Sequence, residues 1–228
     1  MTAKALQLEI VSDIVCPWCY IGKRRMEAAL ALFAQAHPDQ PAPHVSWLPF
    51  QLNPDLPPEG MLRADYLQRK FGSPDGGGMY ERVSGEGKKE GLAFDFAGIA
   101  RQPNTLKAHA LLAAALQSDE TGALQAALKE ELMKAYFCEA ADLTQDATLQ
   151  RIAAQAGMPA EAAHAVLSDT AGHQEAAAQD AELRRIGING VPFFIINRKI
   201  GISGAQPPEA LLEAMEQALS GSAAQPAL

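Results

Sequence analysis

The sequence has few cysteines and no long uninterrupted apolar run. Its three cysteines, Cys16, Cys19 and Cys138, are too few, and odd in number, for a scaffold held together by disulfides. No stretch of about 18 uncharged apolar residues occurs, so no membrane partner is expected. Gln7 and Glu9 interrupt the apolar residues near the N-terminus, and no secretory signal is recognised. We therefore expect a cytoplasmic protein, in a compartment that keeps thiols reduced.

Clustered positive charge is also scarce. The net charge is −8, and the densest basic stretches, 23–25 and 88–89, are closely followed by Glu27 and Glu90. Short, compensated runs of this kind are typical of solvated surface, so no nucleic-acid partner is expected. Hydrophobic residues make up 48% of the chain and charged residues 20%, which indicates a globular rather than a disordered protein. A cysteine pair in such a chain is more often catalytic, redox-sensing or metal-binding than structural.

The first 58 residues have the pattern of a strand, a helix and a second strand. Residues 6–11 alternate as a strand does, and 44–50 predicts a second strand with Pro49 at an edge or end. Between them a helix is predicted over 22–36, with its apolar positions on one face: Met26, Ala29, Leu30 and Phe33. This order predicts the start of an α/β sheet.

Residues 59–169 differ from the flanking chain because strand signals are weak and helical periodicity dominates. We interpret this range as an all-helical insertion, in which the glycines at 76–78 and 85–87 interrupt the helices with a flexible segment. After it, the pattern predicts a helix, a strand, a hairpin turn at Arg198–Lys199, another strand and a last helix. The chain is thus divided into an α/β core of 1–58 and 170–220, the insertion, and a flexible tail of 221–228.

The motif Cys16-Pro17-Trp18-Cys19 lies between the first strand and the first helix. Cys16 is then at a helix N-terminus, where backbone amides and the helix dipole stabilise a thiolate, the species that attacks disulfides. Cys19, one turn below, can close a disulfide with Cys16 and release a bound partner. Pro17 suits the first helical turn, and Trp18 offers a substrate surface beside the sulfurs. The motif predicts Cys16 as the nucleophile and Cys19 as the resolving thiol.

Two other interpretations of this motif stay open. The cysteines can be buried small hydrophobic residues without chemistry. They can also be half of a metal site, but structural zinc takes four ligands, and no second pair of Cys or His has suitable spacing. His37 and His44, the nearest histidines in sequence, flank a proline-rich loop. No metal is therefore expected.

A second element is Gly190-Val191-Pro192-Phe193, at the start of a predicted strand. In a thioredoxin-type fold the proline at this place is cis and packs against the C-x-x-C motif. An ordinary trans proline is the alternative, since only about 5–6% of X-Pro bonds in folded proteins are cis. The backbone of Val191 would pair with an extended cysteine-containing peptide or with glutathione. Pro192 is therefore a candidate catalytic residue that positions the substrate.

Five stretches of the sequence together resemble the DsbA superfamily, and within it the cytoplasmic FrnE-like branch. They lie at 13–22, 50–54, 104–109, 187–194 and 203–209 and so span nearly the whole chain. This branch is similar to the kappa-class glutathione transferases and the 2-hydroxychromene-2-carboxylate isomerases. The resemblance implies a thioredoxin fold with a large all-helical insertion, and the activity of a DsbA-like protein-disulfide oxidoreductase.

The resemblance also implies where a substrate binds. In the kappa and isomerase relatives, glutathione is held at positions that match a set in this chain: Phe50, Asn53, Val191, Pro192, Ser203 and Gly204. Asn53-Pro54 and Ser203-Gly204 are also good loop formers, so turn formation is an alternative role for them. Those relatives typically carry a serine that activates glutathione at the position of Cys16. A cysteine there, followed by Cys19, favours dithiol chemistry.

Three further positions have open interpretations. Asn104-Thr105 predicts a helix cap with His109 facing the sheet, and a structural role is at least as well supported as a catalytic one. Cys138 has no role implied by the resemblance, and a buried, inert thiol is favoured over a regulatory one. Pro17-Trp18 replaces the Pro-His of DsbA itself. The missing imidazole predicts a less oxidising couple, in the range of about −270 to −200 mV.

The leading prediction is an enzyme that exchanges electrons between the Cys16–Cys19 dithiol and protein or small-molecule disulfides. Its redox-active disulfide is then its only resident redox group, with glutathione as a possible co-substrate. The alternative is a glutathione-dependent transferase or isomerase acting on a small aromatic substrate. A third interpretation is a binding or chaperone-like module that uses apolar surface beside Trp18. The sequence leaves the oligomeric state open, with a dimer possible because some kappa-like relatives form dimers.

Overall fold

The computed structural model describes residues 4–76 and 78–221. Within these residues the strands are β1 (Gln7–Ser12), β2 (His44–Pro49), β3 (Met61–Leu62), β4 (Arg101–Gln102), β5 (Phe193–Ile196) and β6 (Ile200–Ser203). The helices are α1 (Pro17–Ala36), α2 (Arg63–Phe71), α3 (Met79–Lys89), α4 (Leu106–Ser118), α5 (Ala123–Phe137), α6 (Asp146–Gln155), α7 (Ala160–Ser168), α8 (Thr170–Arg185) and α9 (Pro208–Ser220). None of these helices is both long and apolar enough to cross a membrane. Of the tail expected at 221–228, residues 222–228 lie outside the described residues.

One four-stranded sheet has the order β2-β1-β5-β6. β1 runs parallel to β2, with Ile10 opposite Trp47, and antiparallel to β5. β5 and β6 form a hairpin whose turn centres on Asn197 and Arg198, with φ values of 50° and 56°. The turn therefore lies one residue before the Arg198–Lys199 pair that the sequence suggests. The β1-α1-β2 and β5-β6-α9 units together form the predicted thioredoxin fold.

Alternation along β1 divides the apolar core between the two faces of the sheet. On one face, Leu8 and Ile10 belong to a cluster with α1 and α9, whose buried members include Met26, Phe33, Leu211 and Met215. On the other face, Val11 packs with Leu183 of α8. Helices α4, α5 and α8 lie against β2. Both faces of the sheet are therefore covered by helices.

The β2 strand, at one edge of the sheet, is held by a side chain of α5. Gln125 is fully buried, and its Oε1 accepts a hydrogen bond from the backbone N–H of Trp47 over 2.8 Å. The Gln125 amide nitrogen donates to the carbonyl oxygen of Trp47 over 3.0 Å. Gly122, just before α5, has a φ of 78°, and a Cβ there would lie 2.8 Å from the carbonyl oxygen of Val45. The start of α5 is therefore fitted closely to the backbone of β2.

Helix α1 takes part in two hydrophobic clusters. Its first turns contribute Tyr20 and Ile21 to a cluster formed mainly by α4 to α7. Its later turns contribute Met26 and Phe33 to the cluster against the sheet. One continuous helix thus joins the helical part of the molecule to the sheet.

Between β2 and α8 the chain is helical, as predicted, with one addition. β3 and β4 form a short antiparallel ribbon, with Met61 opposite Gln102. Strands of two residues are too short to produce a detectable alternation in sequence. The limits 59–169 remain a prediction, although α7 ends at Ser168 and the side chain of Asp169 caps α8 by accepting a hydrogen bond from Ala171.

The glycines at 85–87 do not interrupt a helix, contrary to the prediction. Gly85 and Gly87 both lie inside α3. Gly87 allows the helix to approach Phe94, because a Cβ at this position would lie 2.5 Å from the phenyl ring. Gly76 and Gly78, both with positive φ, lie between α2 and α3, and Gly77 lies outside the described residues. Close packing rather than flexibility therefore accounts for the glycine at 87.

Candidate active site

Cys16 and Cys19 lie at the start of α1. Cys16 precedes the helix with an extended backbone, at φ −96° and ψ 110°, and Pro17 occupies the first helical turn. The backbone N–H of Cys19 donates to the carbonyl oxygen of Cys16 over 3.0 Å, and both residues are free thiols. Cys16 is 5% exposed, whereas Cys19 is fully buried. Cys16 is therefore the more accessible sulfur of the pair.

The segment before β5 lies against Cys16. The Val191–Pro192 peptide bond is cis, and the Cys16 thiol donates a hydrogen bond to the Val191 carbonyl oxygen over 3.7 Å. The Gly204 N–H donates to the Pro192 carbonyl oxygen over 2.8 Å, which ties this segment to the end of β6. A Cβ on Gly22 would lie 3.0 Å from the Pro192 ring, so α1 also packs closely against it. Two segments 175 residues apart in sequence thus meet at the reactive sulfur.

Trp18 lies partly buried between the two cysteines in sequence. Its indole packs against the helical cluster, and the guanidinium carbon of Arg82 lies 5.8 Å from the centroid of its ring. This is within the range of a cation–π contact. The Trp18 ring, which the sequence predicts to contact a substrate, is therefore also in contact with Arg82 of α3.

Asp13 is a fully buried carboxylate in the turn before the motif. Its Oδ2 accepts a hydrogen bond from the backbone N–H of Leu52 over 2.7 Å, and its Oδ1 lies 3.4 Å from Nε2 of His109. Burial opposes the charge, but His109, the Leu52 N–H and the charge of Lys129 outweigh it and lower the pKa of Asp13. The ionised Asp13 therefore holds the loop after β2 against the motif.

Lys129 of α5 is a fully buried cation whose charge interacts with both cysteines of the motif. Its ammonium nitrogen makes no hydrogen bond to any described residue and lies 5.2 Å from the centroid of the Trp47 ring. Burial lowers the pKa of Lys129 to about 8, while attraction by Cys19 and Asp13 resists the loss of its proton. Lys129 is therefore mainly an ammonium at neutral pH.

The two thiols titrate as one coupled pair. The hydrogen bond to Cys19, together with burial, raises the pKa of Cys16. Burial also acts to raise the pKa of Cys19, but the hydrogen bond from Cys16 and the charge of Lys129 outweigh it, and this pKa is lowered. The sequence predicted that Cys16 holds the thiolate. This stays a prediction for the coupled pair, in which the Lys129 ammonium favours a negative charge on Cys19 and the Asp13 carboxylate disfavours one on Cys16.

Sequence reasoning missed the roles of Asp13 and Lys129. Asp13 belongs to one of the matching stretches, and a signal is present in its position directly after β1 and three residues before Cys16. Lys129 precedes Leu132 and Met133 by three and four residues, which places it on the buried face of α5. The helical spacing could have identified Lys129 as buried, but it could not have identified the residues that surround it.

Only part of the set matched to glutathione positions meets the cysteines. Val191 contacts Cys16, and Pro192, the next residue, is joined to Gly204 by a backbone hydrogen bond. Ser203 is exposed at the end of β6, opposite Phe193. Phe50 has its ring buried in the core, and the guanidinium carbon of Arg184 lies 4.0 Å from the ring centroid. The ring therefore contributes to packing and is not available to a ligand.

Asn53 lines a cleft of about 420 Å³ beside the loop that Asp13 holds. Its amide nitrogen is buried and has no hydrogen-bond partner within residues 4–76 and 78–221. Arg69 and Lys70 of α2 line the same cleft. The cleft thus combines a free amide donor with two cationic side chains.

The remaining candidate positions have structural environments. The Asn104 side chain accepts a hydrogen bond from the Leu106 N–H over 2.9 Å at the start of α4, which agrees with a capping role. His109 is buried against Asp13 rather than exposed to a substrate. Cys138 is half-buried, and burial with the charges of Glu130 and Glu139 raises its pKa. A raised pKa makes Cys138 a poor nucleophile at neutral pH.

Known proteins were compared with this chain. A family model described as DSBA-like thioredoxin domain matches residues 7–216. A probable DsbA oxidoreductase from Streptomyces coelicolor has 31% sequence identity and a TM-score of 0.80, covering 98% of this chain and 93% of that chain. No curated protein sequence matches.

Two more distant structures share the fold. The cytosolic disulfide reductase DsbM from Pseudomonas aeruginosa, solved with GSH, has 17% identity and a TM-score of 0.61, covering 94% of this chain and 96% of that chain. A 2-hydroxychromene-2-carboxylate isomerase has 13% identity and a TM-score of 0.61, covering 92% and 95%.

The family match extends over the cysteine pair, the Val191–Pro192 segment and the intervening helices. The two more distant neighbours share this fold, and the 31% identical structure is of a probable DsbA oxidoreductase. The chain therefore belongs to the DSBA-like thioredoxin domain family of thiol oxidoreductases.

Proposed function

We propose that this chain is a protein-disulfide oxidoreductase whose Cys16–Cys19 dithiol exchanges electrons with protein or small-molecule disulfides. The observation that carries the proposal is the contact between the Cys16 thiol and the Val191 carbonyl oxygen beside Pro192. An extended substrate could pair with the backbone of Val191 while its own sulfur meets Cys16. Membership in the family supports the same chemistry.

In the proposed cycle, the Cys16 thiolate attacks one sulfur of a substrate disulfide and releases the other as a thiolate. The proton of Cys16 can pass to Cys19, because the two thiols titrate as one coupled pair. Cys19 then attacks the Cys16 sulfur, the Cys16–Cys19 disulfide forms, and the second substrate sulfur leaves with the proton of Cys19. The substrate gains two electrons and the pair loses two, so a thiol such as glutathione must reduce the pair again.

Substitution of each cysteine tests this cycle. We expect Cys16→Ser to abolish disulfide reduction, and Cys19→Ser to accumulate a mixed disulfide on Cys16 that mass spectrometry detects. Cys138→Ser is the control and should retain wild-type activity, since the proposed cycle gives Cys138 no role. Equal turnover by the wild type and Cys16→Ser would refute the proposal.

A redox titration in glutathione buffers tests the predicted potential. We expect a two-electron midpoint in the range of about −270 to −200 mV for the Cys16–Cys19 pair. Thiol trapping measures the oxidised fraction, and Trp18 fluorescence provides a second signal. A cytosolic location is part of the proposal, and a pair in this range would be substantially reduced there.

A second candidate is a glutathione-dependent transferase or isomerase for a small aromatic substrate. It is favoured by the cleft at Asn53, where a buried amide donor and the cations Arg69 and Lys70 suit the carboxylates of a tripeptide. DsbM, a structural neighbour, was solved with GSH. Calorimetry with glutathione distinguishes the two candidates. Tight binding that Asn53→Ala weakens, together with turnover that survives Cys19→Ser, would favour the transferase.

A further inference from the structure

Lys129 is a buried cation to which the proposed cycle gives no role. It lies on α5, it is fully buried, and its nitrogen has no hydrogen bond to any residue that the structure describes. An ammonium in a protein interior is disfavoured because it loses its hydration, and here it gains only the face of the Trp47 ring and no hydrogen bond to a described residue. Strongly perturbed groups of this kind are concentrated where charge develops during function.

The acidic groups around Lys129 identify where that charge develops. Cys19 exerts the strongest attraction on the ammonium, followed by Asp13 and Cys16, while Lys23 of α1 repels it. The Asp13 carboxylate already has partners in the Leu52 N–H and His109. Cys19 is fully buried, so water cannot solvate its thiolate. The charge on Cys19 is therefore the one that needs a cation.

We propose that Lys129 is a positioning residue for the second half of the exchange, in which its ammonium stabilises the negative charge on Cys19 as that sulfur attacks the mixed disulfide. The proposal rests on the proposed function. It adds to the motif a residue from the inserted helices, because α5 lies within the predicted insertion.

The step is balanced without any change at Lys129. The bond between Cys19 and Cys16 forms, and the bond between Cys16 and the substrate sulfur breaks. The substrate sulfur keeps the electron pair of the broken bond and takes the proton that Cys19 gave up. The ammonium acts by its field alone, in a site from which water is excluded.

The same charge affects the equilibrium of the pair. A dithiol that contains a thiolate is stabilised by a neighbouring cation, whereas the Cys16–Cys19 disulfide carries no charge to be stabilised. Removal of the ammonium should therefore destabilise the reduced pair and make its reduction potential more negative.

The test compares wild type with Lys129→Met, in the full chain, using a chromogenic aromatic disulfide. Release of the first aromatic thiolate reports attack by Cys16, and release of the second reports resolution by Cys19. For Lys129→Met we expect the second phase to slow at least tenfold at neutral pH, because an opposite charge nearby shifts a pKa by about 1–3 units. The thiol–disulfide equilibrium should shift about tenfold toward the disulfide, which corresponds to about 30 mV.

Two variants of the same helix are controls. Lys134→Met removes a lysine that is exposed and paired with Glu139, so it changes net charge equally without affecting the site. Leu132→Ala opens a cavity in the buried face of α5 without removing a charge. Both should resolve the mixed disulfide at close to the wild-type rate. A wild-type rate and potential for Lys129→Met, or equal slowing by Leu132→Ala, would overturn the proposal.

A second measurement leaves Lys129 in place, in case Lys129→Met does not fold. In the Cys16→Ser/Cys138→Ser chain, thiolate absorbance reports the titration of Cys19 alone. We expect a midpoint below the ordinary cysteine value of about 8.5, and a midpoint above it would show that burial prevails over the ammonium. If Cys16→Ser abolishes both release phases while Lys129→Met changes neither, the proposed function stands and only this inference fails.

Discussion

At the scale of single residues, the site combines two thiols with two buried charges of opposite sign. Asp13 lies before the motif, and Lys129 reaches it from α5. The sequence predicted Cys16, Cys19 and Pro192 because short motifs carry those positions. It could not predict the charge interaction of Lys129 with Cys19, because the residues are 110 positions apart and their interaction depends on how α5 packs.

The buried carboxylate of Asp13 gives a first expectation. Asp13→Asn removes the charge that faces Lys129 and weakens the contact with His109, so we expect a loss of about 3 kcal/mol of unfolding free energy at neutral pH. The pKa of Asp13 is lowered from its ordinary value of 3.8, so its stabilisation is complete above that pH and is lost as the pH falls through the lower folded value. Denaturant unfolding measures both effects.

A surface acid provides the control for Asp13→Asn. Asp146 pairs with Lys107 at the surface, with 47% of its side chain exposed, so Asp146→Asn should change stability by less than about 1 kcal/mol. Equal losses for the two variants would contradict the expectation.

The depressed pKa of Lys129 predicts that stability changes at alkaline pH. Between about 8 and the ordinary value of 10.5, the unfolded chain holds the lysine proton while the folded chain has lost it. The free energy of unfolding should therefore rise with pH in this window, by up to about 3 kcal/mol. Asp13, Cys16, Cys19 and Lys23 face Lys129, and all four are present in the wild type and in Lys129→Met. Their own contributions to the pH dependence should therefore largely cancel in the difference between the two proteins. We expect the rise to appear in the wild-type minus Lys129→Met difference, measured by denaturant unfolding at several pH values.

At the scale of secondary-structure elements, α3 contains two glycines in different environments: Gly87 packs against a phenyl ring, and Gly85 has open space beside it. The sequence predicted the long helices because their periodicity extends over many residues, and it predicted the succession of strands and helices outside the insertion. It missed the β3–β4 ribbon, which is too short for a pattern. It also misinterpreted Gly87, because the phenyl ring that approaches it belongs to Phe94, seven residues later.

The two glycines of α3 provide a matched pair of substitutions. Gly87→Ala should destabilise the protein by about 1–3 kcal/mol, because the new methyl group meets the Phe94 ring, which is held by Tyr20, Phe96 and Phe137. Gly85→Ala meets nothing within 4 Å, so it should stabilise by about 0.5–1 kcal/mol, as alanine does in helix interiors. Thermal or denaturant unfolding measures both. Stabilisation by Gly87→Ala would show that Phe94 yields without cost.

At the scale of the whole molecule, α1 couples the sheet to the inserted helices. Ion pairs strengthen this coupling: Arg25 of α1 binds Glu86 and Glu90 at or near the end of α3 and also donates to the carbonyl oxygen of Ala205. The sequence predicted a discontinuous core with an insertion, but not how the two parts are joined, because groups from three separate segments meet at Arg25.

The two tryptophans report on the two clusters separately. Trp18 packs against the helical cluster, and Trp47 belongs to the cluster against the sheet. Trp18→Phe and Trp47→Phe each leave one tryptophan. Because α1 belongs to both clusters, we expect the fluorescence midpoint of each variant to coincide with the midpoint that circular dichroism gives for the same variant. Fluorescence midpoints that precede or follow the circular dichroism transition would show that the inserted helices unfold on their own.

The hydrogen bonds of Gln125 have a consequence for how copies of this chain meet. An edge strand exposes backbone groups to which a strand of another molecule can add. At β2, the Gln125 amide already occupies the N–H and the carbonyl of Trp47, as a neighbouring strand would. Edge-to-edge aggregation through β2 would first have to displace this side chain, so one glutamine limits self-association at that edge of the sheet.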